Sequence, residues 1–492
     1  MSIQFDTIPS DILLPLVYME FAGRAPTAAG ALVNPTVFLG QKLAAGSATA
    51  GTRVRVQSVS DAVTLFGQGS VLHRMAIKFF LANPGGDLYA IPLADDGGGT
   101  AGSVTITATG TATAAGTLYL RVGDTLVEVA IASGTVHTDV GALIEAALDL
   151  VGDLPVTTAS ATNVATVTSR HKGTVGNQVP VTINALGQAG GEDLPAGISI
   201  AISATLPSNG ATDPTSATWI TGMGDDAYDV VCPALTTSGM MSVLKTEMAR
   251  RWGPLVAVEG HAIAAVLDSA GDLATYALAR NDKHLTVLGI KETAGWLTPA
   301  FEIAASAAGV AALYLGNDPG APLQGLQLPG CVCTGTAFTA TERQTLAEAG
   351  CATLTVQSGD VYLESEVTTY TLDGSSQPDA AWQYTQNPFL LQRFKRRVKA
   401  RLVSRFPRFK LADDGNPTKA GQRVTTPKTI KGEIVAEYSD MVGDGQMENL
   451  DAFKASLVVE RNATNRNRVD VLARPDLINQ LRVVAIRTEF EV

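Results

Sequence analysis

Apolar residues in this chain come in short runs, and the period of those runs changes along its length. TVFLG (36–40) and LYAIPL (88–93) are continuous apolar runs of strand length. Between them, SVLHRMAIKFFLA (70–82) repeats its apolar positions at helical spacing until Asn83-Pro84 stops it, and Asp61 is placed to cap a further short helix. The same alternation resumes at Tyr228. YDVVCPA reads as a strand, 238–252 as a helix capped by Ser238, and LVAVEGH (255–261) as a strand. Helix 272–280, strand HLTVLGI (284–290) and the Ala-rich helix 299–315 follow. Next come helix 342–349, capped by Thr341 and ended by Gly350, and a hairpin turning at Ser358-Gly359-Asp360. Strands alternating with helices predict a mostly parallel sheet covered on both faces.

Between these two stretches the period becomes two. After Asp95-Asp96-Gly97-Gly98-Gly99 the chain turns Thr/Ala/Val-rich and alternating as far as about residue 207, with one helix predicted at 140–150. A β-sandwich inserted into a host domain accounts for this, because closing a host loop over an insertion costs little entropy.

The C-terminal part begins with a helix over 387–405. KTIKGEIVAEYSDM (428–441) is expected as a strand and 450–461 is amphipathic. Two strands, RVDVLARP (468–475) and LRVVAIRTEFEV (481–492), close the chain. The last run alternates, with Leu481, Val483, Ala485, Arg487 and Glu489 on one face. At the other end Pro9 and Pro15 interrupt any helix, and Leu16, Val17, Tyr18, Met19, Glu20 and Phe21 form a short extended run. Both termini therefore read as strand-like arms, of the kind that is either tied into a sheet or disordered.

At 492 residues the chain exceeds a single core. The expected fold class is α/β (α+β) multidomain. It comprises an arm (1–25), a discontinuous α/β core (26–95 and 208–375), the β-rich insertion (96–207) and an α+β C-terminal domain (376–492). No apolar run reaches the length of a membrane span, and the N-terminus lacks the layout of a secretion signal.

Charge changes the picture at one place. Residues 381–492 carry 20 Lys and Arg against 13 Asp and Glu, a net of +7; the remaining 16 against 34 give −18. The excess is concentrated in the helix, where Arg393, Lys395, Arg396, Arg397, Lys399, Arg401 and Arg405 stand without an acid among them. Like charges four residues apart disfavour an isolated helix. Three explanations stand: a solvated face, an acidic protein partner, or phosphate neutralisation by nucleic acid. The acidic chain and the lack of a DNA- or RNA-binding module weigh against the last.

Catalytic chemistry finds no foothold in the sequence. His73, His137, His171, His261 and His284 are isolated, and no metalloprotease, phosphate-loop, nucleophile-elbow or dinucleotide fingerprint occurs. Gly222-x-Gly224 precedes a strand instead of following one, so a turn is the better reading. Cys232, Cys331, Cys333 and Cys351 lack zinc spacing and fit buried free thiols in a reducing compartment. No cofactor or metal is expected.

Three stretches carry a resemblance. VTTY (367–370), the later Asp373, the basic helix and the ending RFPRFKLADDG (405–415) resemble the C-terminal region of Mu-type contractile phage tail sheath proteins. NDPGAPLQGLQLPG (317–330) resembles another segment of that family, and FDTIPSDILLPLVYMEFAG (5–23) its N-terminal arm. The three lie in family order across nearly the whole chain. The resemblance implies a non-enzymatic virion protein, assembled in the host cytoplasm. It would polymerise as a helical sheath of stacked hexameric rings around a tail tube. A baseplate would trigger its contraction, which drives the tube through the host envelope. Implied partners are further copies of the chain and the tube, baseplate and tail terminator proteins; neither nucleic acid nor membrane insertion is implied. The two arms are then the expected intersubunit strands, and Arg393, Arg396, Arg397, Lys399 and Arg401 the expected tube-facing residues, with 450–461 as a second candidate. Two other classes stay open: another virion polymer, and an α/β enzyme with a β accessory module.

Overall fold

The computed structural model describes residues 35–491 apart from 216, 254, 293–294 and 418–420. The expected arm strand at Leu16–Phe21 lies outside the described residues. Six strands form the central sheet: β1 (Thr36–Gln41), β2 (Val54–Val56), β3 (Leu88–Leu93), and later β11 (Val230–Pro233), β12 (His261–Asp268) and β13 (Leu285–Lys291). Their order is β13-β12-β11-β1-β3-β2, parallel throughout except for the antiparallel edge strand β2. All six residues of β1 are buried, as a central parallel strand requires. Helices α1 (Val59–Phe66) and α2 (Val71–Ala82) separate β2 from β3. Ser58 caps α1 and Asp61 is its third residue, its carboxylate accepting from Gln57 N at 3.0 Å.

The 101–202 stretch forms two further sheets. One pairs β4 (Ala101–Gly110), β7 (Val156–Ala161), β8 (Val164–Lys172) and β10 (Ile198–Ile202) in the order β10-β4-β8-β7. The other is β6-β5-β9, built from β5 (Gly116–Val122), β6 (Thr125–Ile131) and β9 (Val181–Ile183), and α3 (His137–Asp149) lies among them. The chain leaves and rejoins the central sheet side by side, through mutual backbone bonds of Thr100 and Ala211 at 2.9 and 3.1 Å.

After α4 (Ala217–Met223) come α5 (Ser238–Trp252), α6 (Ala270–Arg280) and α7 (Ala300–Asn317) around the remaining core strands. Thr237, not Ser238, occupies the α5 cap position. LVAVEGH is not a strand. Leu255 is 98% exposed and Ala257 has φ of +52°, so β12 begins only at His261. Immediately before it, a Cβ on Gly260 would meet Tyr228 O at 2.2 Å. Helix α7 is long and apolar enough to cross a membrane, but it is the buried core helix here. It packs on α2 where a Cβ on Gly309 would stand 2.9 Å from that of Ala82.

A three-stranded sheet, β14-β16-β15, joins β14 (Gln327–Val332), β15 (Thr353–Gln357) and β16 (Asp360–Ser365). Helix α8 (Ala340–Glu348) begins at a capping box of Thr339 and Glu342, so Thr339 caps it and Thr341 does not. The C-terminal part holds α9 (Gln386–Arg405), the short pair β17 (Lys410–Leu411) and β18 (Val424–Thr425), α10 (Pro427–Gly443), α11 (Leu450–Ser456) and the hairpin β19 (Val458–Arg461)–β20 (Val469–Leu472). The expected strand 428–441 is therefore a helix. Thr426 caps it with Pro427 in the first turn, and Ile430, Ile434, Tyr438 and Met441 recur at helical spacing onto a second core. The amphipathic stretch 450–461 divides into α11 and β19.

Candidate assembly surfaces

The C-terminal run differs from every strand of the body. Residues 481–491 belong to no strand, and Leu481, Val483, Val484, Ile486 and Phe490 are 78, 82, 68, 81 and 82% exposed. From Val483 onward its two alternating faces are therefore both bare. Ala485 is exposed too, and Arg487 and Glu489 pair only with each other, at 2.5 Å. The two-stranded hairpin β19–β20 also exposes apolar side chains, with Val458, Val471 and Leu472 44–50% exposed. Two strands alone leave backbone donors and acceptors unpaired on both outer edges.

Helix α9 is placed by two cores. Phe389 and Leu390 are buried near its start, and Phe394, Val398 and Leu402 pack on the second core, where Tyr438 and Phe453 stack at 3.7 Å. The basic face then meets carboxylates of its own chain. Arg397 reaches Glu437 at 2.5 Å and Asp444 at 2.6 Å, and Arg401 reaches Glu433, Glu437 and Asp440 at 2.8–3.1 Å. Glu433, Glu437 and Asp440 stand at successive turns of α10, which the strand reading hid, and Asp444 is its C-cap. Arg396 pairs with buried Asp229 at 2.6 Å and Lys395 with buried Glu259. Arg393 donates to the last carbonyls of α7, Gly316 among them, at the negative end of that helix. Lys399 is exposed, as are Arg405, Arg408 and Lys410 beyond it. Of the five sequence candidates, the fold engages four within the chain and leaves Lys399 at the surface.

The 101–202 sheets are tied to the core by charge. Asp124, in the β5–β6 turn, lies 2.9 Å from Arg74 and also contacts Lys78; Arg74 is 2.7 Å from Glu302, which is fully buried on α7. Burial alone would lower the two cations, but the facing carboxylates hold both above their ordinary values. A second tie joins Asp95, Gln41 and His171. Val71 N–H donates to His171 Nε2 at 3.2 Å, which leaves Nδ1–H to donate to Asp95 at 2.8 Å.

The residues weighed for chemistry are packed, not poised. His261 bonds Thr286 at 2.9 Å and His284 stacks on Trp252 at 4.6 Å; burial pushes both down to about 3. Cys331 and Cys351 are pushed up to about 12 by burial, and Cys232 is raised further by the same cause. Gly224 has φ of +50° in a turn between α4 and β11. Among the described residues no group of three His, Cys, Asp or Glu is arranged to hold a metal ion.

Comparison with known proteins bears on these surfaces. The family model of the phage tail sheath protein central domain matches residues 220–369, and that of the phage tail sheath C-terminal domain matches 377–491. The Mu-like prophage FluMu tail sheath protein of Haemophilus influenzae is 32% identical over 495 residues, covering 100% of both chains. Similar solved structures include a sheath tail protein of Desulfitobacterium hafniense, with TM-score 0.48 and 11% identity over 94% of this chain and 100% of that one. The helical sheath of the anti-feeding prophage in its contracted state gives TM-score 0.48 and 12% identity over 98% of this chain and 100% of that one. On the two domain matches and the full-length relative, the chain belongs to the Mu-type phage tail sheath family, the structural subunits of contractile tails.

Proposed function

We propose that this subunit polymerises through its two terminal strand-like arms into a helical sheath of stacked hexameric rings around a tail tube. The observation that carries this reading is the C-terminal run, apolar on both faces and bare on both. A strand of this kind is completed by adding to another chain's sheet, which supplies main-chain hydrogen bonds and covers its side chains. The open edges of β19–β20 suit it, and a neighbour's Leu16–Phe21 run is the second expected contributor. A head-to-tail contact whose rotation does not close on itself generates the helical lattice. Tethering arms let rigid bodies rotate without separating, so contraction keeps the lattice connected.

The tube-facing surface is assigned to the exposed basic end of α9: Lys399 together with Arg405, Arg408 and Lys410. Arg393, Arg396, Arg397 and Arg401 shape that helix, and charge reversal there is expected to act through the fold. The 96–207 insertion forms an outward domain on the 26–95 and 208–375 core. The role is structural, not catalytic, in a virion assembled in the host cytoplasm, with baseplate and terminator proteins at the two ends. Basic side chains spent on the chain's own carboxylates speak against nucleic acid, and the burial of α7 against membrane insertion.

Negative-stain electron microscopy of the full-length protein, alone and with its tube, tests the reading. Hollow striated tubes are expected, and a chain ending at Arg482 is expected to stay a folded monomer. Normal tubes from the truncated chain would refute the arm assignment.

A further inference from the structure

We propose that Arg482 is the pin that fastens the base of the C-terminal arm to the body and thereby sets the free length of the tether. The proposal rests on the arm reading above. Arg482 interrupts an exposed run: Leu481 and Val483 are 78 and 82% exposed, whereas the Arg482 side chain is 13% exposed. Its guanidinium sits 4.0 Å over the Tyr384 ring, donates to Gln386 Oε1 at 2.8 Å, and stands 3.2 Å from Glu366 Oε2.

Glu366 is 2% exposed. Its Oε1 already accepts from Leu323 N at 2.6 Å and Gln386 Nε2 at 2.8 Å, while Oε2 accepts no hydrogen bond. The Arg482 contact is thus charge attraction more than a directed bond. A buried carboxylate left without its cation is strongly penalised. The arm supplies that cation, so seating the arm and neutralising Glu366 are one event. Planar stacking on Tyr384 and a second donor to Gln386 make an arginine suited to the place and a lysine less so.

The consequence is geometric. With the pin in place, the ten residues 483–492 follow it, a reach of about 35 Å when extended. Without it, the next backbone tie is Ile478 N to Gln446 O at 3.3 Å, with one exposed side-chain bond to the body, Asn479 to Glu448, between. Four more residues come loose, adding about 13 Å of slack. An arm with that slack still pairs with a neighbour but no longer fixes the spacing between subunits.

The test compares five proteins by electron microscopy and layer-line analysis of the tubes: wild type, the chain ending at Arg482, Arg482→Met, Arg482→Lys, and a variant with four Gly/Ser residues inserted after Arg482. The methionine keeps an apolar stem over Tyr384 and loses the charge. Truncation is expected to abolish tubes. The methionine and insertion variants are expected to form tubes at an at least tenfold higher critical concentration and with blurred layer lines. Arg482→Lys is expected to recover part of the order. If truncation abolishes tubes while Arg482→Met assembles like wild type, the pin is wrong and the arm reading stands. If the truncated chain polymerises normally, the arm reading falls and the pin with it. Should Arg482→Met fail to fold, the insertion variant decides, since it lengthens the tether with the pin intact. Wild-type order in that variant overturns the proposal.

Discussion

The central sheet and the C-terminal part treat their surfaces in opposite ways. In the central sheet every residue of β1 is buried, and α7 is covered along nearly its whole length. Even its charges are matched inside: Glu302 lies within 4 Å of both Arg74 and Lys78. The C-terminal part has a small core around Tyr438 and Phe453, a helix clasped by ion pairs, a hairpin with two open edges and a bare apolar run. Hydrophobic burial completes the first region within one chain, whereas the second leaves apolar side chains uncovered. A polymer that must move needs this division: rigid bodies, and contacts that lie outside them.

Two core variants test the contrast most severely. Glu302→Ala leaves two buried cations with Asp124 alone and is expected to cost about 3–5 kcal/mol, lowering the main unfolding transition. Phe453→Ala removes a stacked ring from the smaller core at a similar cost of about 3–5 kcal/mol. It is expected to raise hydrogen exchange in α10, α11 and β19–β20 while sparing the central sheet. Equal exchange increases across both regions would mean that the two cores unfold as one.

Acid should act on the join between the regions, because His261 meets Phe389 of α9 and His284 packs on Trp252 and Trp382. Both imidazoles titrate at about 3 when folded, against 6.5 ordinarily. The unfolded chain therefore binds protons that the folded chain refuses, and stability falls as pH drops from 6.5 towards 3. About 2 kcal/mol per histidine is expected to be lost by pH 5, measured by denaturant unfolding. The double variant His261→Leu/His284→Phe should flatten that slope, and an unchanged slope would place the acid sensitivity elsewhere.

Arg401→Ala removes three half-exposed ion pairs and is expected to cost about 1 kcal/mol, less in high salt. The smallest effect on stability should come from Val483→Ser/Ile486→Ser, within about 0.5 kcal/mol for the monomer. That variant is nonetheless expected to lose tube formation. A comparable loss of monomer stability would mean that the run packs on its own body.

Much of this was legible before the structure. Ser70 and Asn83 bound α2 as their residue types predict, and the switch from period 3.6 to period 2 marks where the separate sheets begin. The terminal run, expected as an alternating strand, forms no strand within this chain. The misreadings have specific causes. Ile430, Val435 and Thr429 favoured a strand over 428–441, although the Thr426-Pro427 start and the recurrence of apolar residues every three or four positions argued for a helix. LVAVEGH looked like a strand by composition, but a left-handed turn at Ala257 occupies it.

The sequence by itself determined many of the elements, the change to alternating strands after residue 100, the excess of positive charge on α9 and the family. These follow from local periodicity, chain order and residue type. Only the tertiary structure decided which carboxylates meet that charge, because Asp229, Glu259 and Glu437 lie 40 to 167 residues away from their partners. It alone distinguished Arg482 from the exposed residues on either side of it. That difference rests on the buried carboxylate of Glu366, more than a hundred residues earlier in the chain.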